Sequence, residues 1–406
     1  MLTLRGSRGP RCGAELNDLG VIPDGAVLVR DGVLQEVGPT RRIENLALAR
    51  TALEINAAGR VLMPGFVDSH THLLFPPPGG AESAADLARA VRATTAQRLE
   101  MRARAHLEAM ARHGTTTVEV KSGCGPDESA ETKILRVLSS LKRDHLDVVP
   151  TFLFRLPEGS GEEALHEAAE WTIRELLPKI RRRRLARFAD ILWNSDGPEP
   201  YRDFVRLLEA ARGMGFGCKL HLERRRSEAA LTAAVERFAV TVDHLEHAAP
   251  SDARLLAGSC TMATLLPCAS FHSGRGDAPA RALIDAGAAV AIASNFNPQH
   301  TPTLNMQTAM ALGCLRMGMT AAEAISAATI NGAHAVGRAD HVGSLEPGKV
   351  ADLLILNAPD YRDLARDFGM NLVHMTMKRG EFIYTEGEVS MARRPAQVFP
   401  EPVRAM

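Results

Sequence analysis

Eight short apolar runs alternate with longer amphipathic stretches between residue 61 and about residue 340, and this alternation restricts the fold more than any other feature of the chain. The intervening stretches have helical periodicity, and one of them, 201–215, ends in glycine as a helix often does. Eight strand and helix alternations over roughly 280 residues predict an α/β fold, a (β/α)8 TIM barrel. The runs are 61–68, 114–121, 147–154, 188–194, 215–221, 238–244, 261–267 and 288–295.

The two ends of the chain carry hairpin patterns. Residues 25–39 alternate in polarity around an Asp31–Gly32 turn, and residues 343–357 and 374–388 show similar patterns near the other end. We therefore expect residues 1–65 and 345–406 to form one small β-sandwich domain beside a barrel at 66–344.

Composition excludes several classes of protein. Lys and Arg total 48 and balance 48 Asp and Glu, which argues against a nucleic-acid or anionic-membrane partner. No run approaches the length of apolar residues needed to span a bilayer. The six cysteines include no CxxC pair and follow no secretory leader, so we expect a soluble cytoplasmic protein with reduced thiols.

Polar residues end most of the predicted barrel strands, where the active site of a TIM barrel lies. His70 and His72 are one residue apart and therefore point the same way from an extended chain. Neutral imidazole suits zinc and iron, so the pair is a candidate metal site. The predicted ring comprises His70, His72, Lys121, Arg155, Asn194, His221, His244, His272 and Asn295.

Structural roles are the alternative for several of these residues. His221 and His244 fit core histidines hydrogen-bonded to backbone, and Lys121 fits an ion-paired lysine inside the barrel as well as a substrate contact. Arg155 fits an ion pair at a strand end equally well.

Motifs spread over almost the whole chain resemble the amidohydrolase superfamily and, within it, the imidazolonepropionase family, which opens the imidazolone ring in histidine degradation. HxH at 70–72 and the EPGK segment are typical of the superfamily, whereas 114–123 and the SNFNP region are typical of the narrower family. The motifs are GFVDSHTHL, GTTTVEVKSG, KLH, DHLE, FNP with TP after it, EAISAATINGAHAVGR and GSLEPGKVADLLIL.

The resemblance implies hydrolysis of 4-imidazolone-5-propanoate, a small-molecule substrate, to N-formimidoyl-L-glutamate. One divalent ion, zinc or iron, would be held by His70, His72, His221 and the residue that ends the eighth strand. His244 would orient the attacking water or polarise the carbonyl, and Lys121 is a further catalytic candidate. We also expect a homodimer.

The eighth strand departs from the family. Where members carry an aspartate that binds the metal and moves a proton, this chain has Asn295, a neutral amide that accepts no proton near neutral pH. We therefore expect a looser metal or an additional ligand. Candidates for that ligand are Glu119, Lys121, Glu223 and Asp243.

The expected substrate pocket departs as well. Residues 76–80 replace a loop that carries an arginine in the family, and Cys124 stands where the family has a tyrosine. Arg155 replaces a histidine, and Arg224 replaces an acidic or amide residue. With Asn297 of the FNP segment, the predicted substrate-binding residues are Arg155, Cys124, Arg224 and Asn297, although Cys124 also fits a small buried core residue.

Three functions follow from these residues. The first is metal-dependent hydrolysis of a cyclic amide, as in imidazolonepropionases. The second is hydrolysis or deamination of another small nitrogen heterocycle, which the changed pocket residues favour. The third is a non-catalytic homologue, which Asn295 favours and the four retained histidines oppose.

Overall fold

We describe the structure from a computed structural model, which covers residues 1–6, 8–77, 83–142, 145–155, 161–193, 201–222 and 226–387, with the backbone of 391–393. Sixteen strands lie in these segments: β1 (Gly25–Arg30), β2 (Val33–Pro39), β3 (Leu53–Ile55), β4 (Leu62–Pro64), β5 (Phe66–Asp68), β6 (Thr115–Lys121), β7 (Asp147–Phe154), β8 (Phe188–Trp193), β9 (Gly217–Leu222), β10 (Thr241–Asp243), β11 (Met262–Leu265), β12 (Val290–Ile292), β13 (Leu353–Leu356), β14 (Val373–Lys378), β15 (Glu381–Thr385) and β16 (Met391–Arg393).

The helices fill the intervals between the barrel strands and extend beyond the last of them. They are α1 (Thr40–Ile43), α2 (Ala84–Ala93), α3 (Ala96–Arg112), α4 (Glu128–Ser140), α5 (Glu162–Trp171), α6 (Leu177–Arg182), α7 (Tyr201–Gly213), α8 (Glu228–Glu236), α9 (Pro250–Ala257), α10 (Pro267–Ser273), α11 (Ala280–Asp285), α12 (Met306–Met317), α13 (Ala321–Ala328), α14 (Ile330–Ala335) and α15 (Asp363–Arg366). Short 3-10 helices cover Gly13–Asn17 and Ala47–Thr51, and a π-helical turn, Thr172–Leu176, joins α5 to α6.

The eight strands β5 to β12 form one parallel sheet in chain order, which confirms the predicted TIM barrel. The sheet nearly closes on itself, because Thr71 forms a parallel bridge with Phe296. The amide of His72 donates to the Phe296 carbonyl at 2.7 Å, and the amide of Ser294 donates to Asp68 Oδ1 at 3.0 Å. The carboxyl ends of the first and last barrel strands therefore lie side by side.

Helix α3 shows how the outer layer packs on the barrel. Its residues Leu99, Ala103, Leu107 and Met110 are buried at spacings of three and four, as one face of an amphipathic helix requires. Thr95 begins the helix by accepting a hydrogen bond from the Arg98 amide. No helix among the described residues combines the length and apolar character needed to cross a bilayer.

The first apolar run, 61–68, forms two strands in different sheets rather than one. β4 pairs with β13 in an antiparallel sheet, and β5 begins the barrel beside β6. Gly65 lies between them, where a Cβ atom would be 2.3 Å from both Cγ2 and Oγ1 of Thr116. Only glycine, which has no Cβ, lets the backbone pass this close to Thr116 where the chain moves from one sheet to the other.

Strands from both ends of the chain share the smaller sheets. β4 joins β13, β14 and β15 in one four-stranded sheet, and β3 pairs with β16. The predicted hairpin of β1 and β2 is present, with Asp31 at φ +52° and Gly32 at φ +74° in its turn. The division into domains at residues 65 and 345 stays a prediction. It requires strands from both ends of the chain to share sheets, as these strands do.

The segment 343–357 forms a turn and the single strand β13 rather than a hairpin. Pro347 has no amide hydrogen to donate to a ladder, and the residues after it pair with β2 instead. The Gly348 amide donates to the Leu34 carbonyl, and the Leu34 amide donates to the Lys349 carbonyl, both at 2.8 Å.

Candidate active site

Four histidines converge where the barrel strands end. His70 follows β5, His221 lies in β9, and His244 follows β10; one donor atom from each lies within 4.8 Å of the others. The ring centroids of His221 and His244 are 4.5 Å apart, and those of His70 and His221 are 5.0 Å apart. The His72 ring lies at the margin, 5.3 Å from His70 and 6.1 Å from His221.

The ligand atoms of His244, His70 and His221 thus form the closer group, although the His244 ring is 5.6 Å from His70, slightly further than the His72 ring. The ligand role expected for His72 and the orienting role expected for His244 stay predictions. His72 also packs against Phe75, with ring centroids 4.7 Å apart.

His70, His72 and His221 are neutral near neutral pH. Burial lowers the pKa of His70 and His72 well below its usual value, and it lowers the pKa of His221 as well. The charge of Lys121 lowers the pKa of His70 further. A neutral imidazole keeps the lone pair that a metal ligand needs.

The free ring nitrogens fit a bound cation. The buried ring nitrogens without a hydrogen-bond partner among the described residues are Nε2 of His70, Nδ1 of His72 and Nδ1 of His221, of which the last faces Asp190, so His221 would bind an ion through Nε2. Buried polar atoms are normally paired, and one divalent ion would pair several of these at once. The residues present therefore fit a single zinc or iron ion.

Two buried aspartates, Asp243 and Asp190, lie next to His70 and His221. His70 Nδ1 donates to Asp243 Oδ2 at 2.7 Å, and His221 Nδ1 lies 3.6 Å from Asp190 Oδ2. Lys121 Nζ donates to both carboxylates, at 2.6 Å to Asp190 and 2.9 Å to Asp243. Burial alone would lower the pKa of Lys121, but these carboxylates raise it, so the lysine is charged.

Lys121 is fully buried, and its contacts are those of the ion-paired alternative. Glu119, one of the suggested additional ligands, accepts from Lys219 at 2.8 Å and from Thr151. Asp243, another of them, is held by His70 and Lys121 as described above.

Glu246 is a carboxylate that sequence reasoning missed. Its Oε1 lies 3.3 Å from Nδ1 of His244. Burial would raise the pKa of Glu246, but the neighbouring His244, a backbone hydrogen bond and His221 together lower it, so the side chain is anionic. His244 itself has φ +62°, a left-handed conformation that is uncommon for histidine.

Asn295 follows β12 and is 8% exposed. It also has a left-handed backbone, φ +52°, which asparagine tolerates better than most residues. Its neighbours Ser294 and Phe296 bind Asp68 and the His72 amide, which places Asn295 beside the HxH segment. Its Oδ1 has no hydrogen-bond partner in the described part of the chain.

Three of the predicted substrate-binding residues can be located. Arg155 follows β7 and is half-buried, and its charge acts on both His72 and Cys124. Cys124 is 1% exposed, and burial raises its thiol pKa, as the alternative of a core residue requires. Asn297 uses Oδ1 to accept from the Gln299 amide at 2.9 Å.

Other predicted positions contribute less to the site. His272 is exposed, and its Nε2 lies 2.8 Å from Thr303 Oγ1. Arg224, Asn194 and Glu223 lie outside the described residues, as do residues 78–80 of the proline-rich segment.

Sequence reasoning also missed three buried charged residues, Asp190, Lys219 and Asp68. The sequence pattern points to the first two. Asp190 is the one charged residue in an otherwise apolar run, and Lys219 precedes His221 by two, so both lysine and histidine lie on one face of β9. A charge inside a barrel strand predicts a buried partner, but not which one.

A parallel eight-stranded barrel with histidines and carboxylates at its strand ends defines the class of metal-dependent barrel hydrolases. Residues 199–383 match the amidohydrolase family. The imidazolonepropionase of Porphyromonas gingivalis strain W83 is 39% identical over 387 residues, covering 89% of each chain. This chain belongs to the imidazolonepropionase family of amidohydrolases, and it is a hydrolase.

Solved structures agree in fold. The 5-methylcytosine deaminase of Klebsiella pneumoniae, liganded with phosphonocytosine, superimposes with a TM-score of 0.72 at 19% identity, covering 89% of this chain and 95% of that one. An adenosine deaminase of Xanthomonas campestris with bound zinc has a TM-score of 0.64 at 20% identity, covering 88% of each chain.

Proposed function

We propose that this protein opens the ring of 4-imidazolone-5-propanoate by hydrolysis, with one zinc or iron ion, and releases N-formimidoyl-L-glutamate. The observation that carries the proposal is the cluster of His70, His221 and His244, of which the first two are buried, whose ring nitrogens converge at the barrel's strand ends. Family membership supports the choice of a cyclic amide, and the zinc bound by the adenosine deaminase of similar fold supports zinc.

In this proposal His70, His72 and His221 hold the ion, with the amide oxygen of Asn295 as a neutral neighbour. When bound, the ion lowers the pKa of a water molecule and polarises the substrate carbonyl. Burial keeps the histidines neutral, so they are ready to bind the ion without first losing protons.

The proton that the ring nitrogen needs must come from a group other than Asn295. His244 is the candidate, because Nδ1 of its ring faces the Glu246 carboxylate, which fixes the tautomer and leaves Nε2 as the atom that exchanges protons. Asn295 then contributes a neutral polar amide to the site and does not act as a base.

Arg155 is our candidate for the substrate carboxylate. Within the described residues it has no carboxylate partner, and it lies close enough to His72 to act on its charge state. A guanidinium binds a carboxylate with two parallel hydrogen bonds, which suits the propanoate arm.

The test measures ring opening by the purified full-length protein after chelation and after addition of zinc or iron. We expect turnover only with metal present. Arg155→Met should raise KM for imidazolone propanoate by about 10- to 100-fold, the loss of one charge-assisted contact, and leave kcat less affected.

An imidazolone without the propanoate arm is the control, since its KM should not respond to Arg155→Met. Equal effects on both compounds would show that Arg155 acts through the fold and not through the carboxylate. Absence of ring opening in a protein that does bind metal would overturn the proposed substrate.

A second candidate is the hydrolysis or deamination of another small nitrogen heterocycle. Asn295 and Cys124, which both differ from the family pattern, favour it. A panel of hydantoins, lactams and aminated rings distinguishes the two, because the better substrate has the higher kcat/KM. The homodimer and the cytoplasmic location stay predictions, and light scattering measures the first.

A further inference from the structure

We propose that Lys121 is a positioning residue, which holds Asp190 and Asp243 together so that His221 and His70 are aimed at one ion. The inference rests on the proposed metal centre and concerns the side chains beneath it. It assigns to Lys121 no contact with substrate.

Lys121 contacts the two carboxylates that lie next to His70 and His221. Asp243 uses one oxygen, Oδ2, for both Lys121 Nζ at 2.9 Å and His70 Nδ1 at 2.7 Å. Asp190 likewise presents Oδ2 to Lys121 Nζ at 2.6 Å and to His221 Nδ1 at 3.6 Å. One ammonium thus restrains the carboxylates behind two histidines from different strands.

Few other described groups could restrain Asp190 and Asp243 in place of Lys121. Oδ1 of Asp190 and Oδ1 of Asp243 are buried without a hydrogen-bond partner in the described segments. Both carboxylates are fully buried, so without Lys121 two negative charges would face each other in a medium of low dielectric constant. Removal of the ammonium should therefore shift both carboxylates and the imidazoles that they orient.

Lys219 provides a matched control. It is also a fully buried barrel lysine, but it pairs with Glu119 at 2.8 Å and lies over the Phe188 ring at 4.7 Å from its centroid. Its replacement removes the same charge and a similar volume, and among the described residues Lys219 makes no hydrogen bond to Asp190 or Asp243.

The experiment compares zinc affinity of the full-length parent, Lys121→Met and Lys219→Met by competition with a chromophoric chelator. Partners behind metal ligands typically contribute 10- to 100-fold in affinity, so we expect a loss of about that size for Lys121→Met. Lys219→Met should lower the stability of the metal-free protein but leave its zinc affinity close to that of the parent. The visible spectrum of the cobalt-loaded protein should change in Lys121→Met only.

A second comparison applies if Lys121→Met does not fold. Lys121→Met combined with Asp190→Asn restores the balance of buried charge, and it is compared with Asp190→Asn alone. We expect the double variant to bind zinc about tenfold more weakly, because it also loses the restraint on Asp243 and His70.

Equal zinc affinities for Lys121→Met and Lys219→Met, or for the double and single variants, would overturn the positioning role while leaving the proposed function intact. A parent protein that binds neither zinc nor cobalt would instead refute the metal centre on which both depend.

Discussion

At the scale of single residues, Asn295 distinguishes this chain from the family pattern. It keeps the size and the left-handed backbone that the end of β12 requires, but it has no charge. Its Oδ1, without a hydrogen-bond partner among the described residues, is a neutral oxygen beside the HxH segment, where the sequence resemblance predicts an anionic one for the family.

We predict that Asn295→Asp increases zinc affinity, because a carboxylate adds one negative charge beside the ion at almost unchanged volume. If residue 295 is a weakened form of the family's base, ring opening should also rise by about 10²-fold or more. Isothermal titration with zinc and steady-state assays measure the two effects.

Asn297→Asp is the matched control, the same chemical change two residues away in a side chain that binds the Gln299 amide. It should leave zinc affinity close to the parent's. If Asn295→Asp changes neither affinity nor rate, residue 295 is not part of the centre; if it lowers activity on the native substrate, the site is adapted to asparagine.

At the scale of secondary-structure elements, the chain's passage from β4 to β5 depends on one glycine. We predict that Gly65→Ala destabilises the fold by about 1–3 kcal/mol, since its Cβ would overlap Thr116 and the strands cannot separate without disturbing β6. Chemical denaturation of the metal-free protein measures the change. Gly213→Ala at the end of α7, with nothing within 4 Å of its Cβ, should cause no loss.

The junction between the barrel and the small sheets contains a buried ion network. Lys378 of β14 donates to Asp147 of β7 at 2.8 Å and also to Asp352. Burial would raise the pKa of Asp147, but Lys378, Arg379 and Arg338 together lower it, so this carboxylate is anionic.

We predict that Lys378→Met destabilises the protein by about 3–5 kcal/mol, because it leaves buried carboxylates without their main cation. Urea unfolding followed by circular dichroism measures the loss. The partly exposed Lys179, which pairs with Glu128 and Glu175, is the comparison, and Lys179→Met should change little. Similar effects of the two substitutions would mean that the network does not join the two parts of the molecule.

At the scale of the whole molecule, the metal should link two distant strands of the barrel, because His70 follows the first strand and His221 lies in the fifth. A ligand that binds only the folded state adds about 4 kcal/mol when it is present at 1,000 times its Kd. We therefore predict that zinc raises the thermal midpoint of the chelated protein.

Calorimetry with increasing zinc measures this shift, and His221→Ala should reduce it strongly. A midpoint that is independent of zinc in the parent would contradict a metal centre within the barrel. A shift that persists in His221→Ala would place the stabilising ion elsewhere in the chain.

The sequence by itself determined the barrel, because apolar runs and amphipathic stretches report the local burial of strands and helices directly. It also determined which strand ends carry histidines, since motif positions are local. Tertiary structure decided three things that depend on neighbours distant in the chain: the sheet change at Gly65, the grouping of His244 with His70 and His221, and the pairing of Lys121 with Asp190 and Asp243. A charge in a strand shows that a partner is needed, but barrel register and closure select the partner.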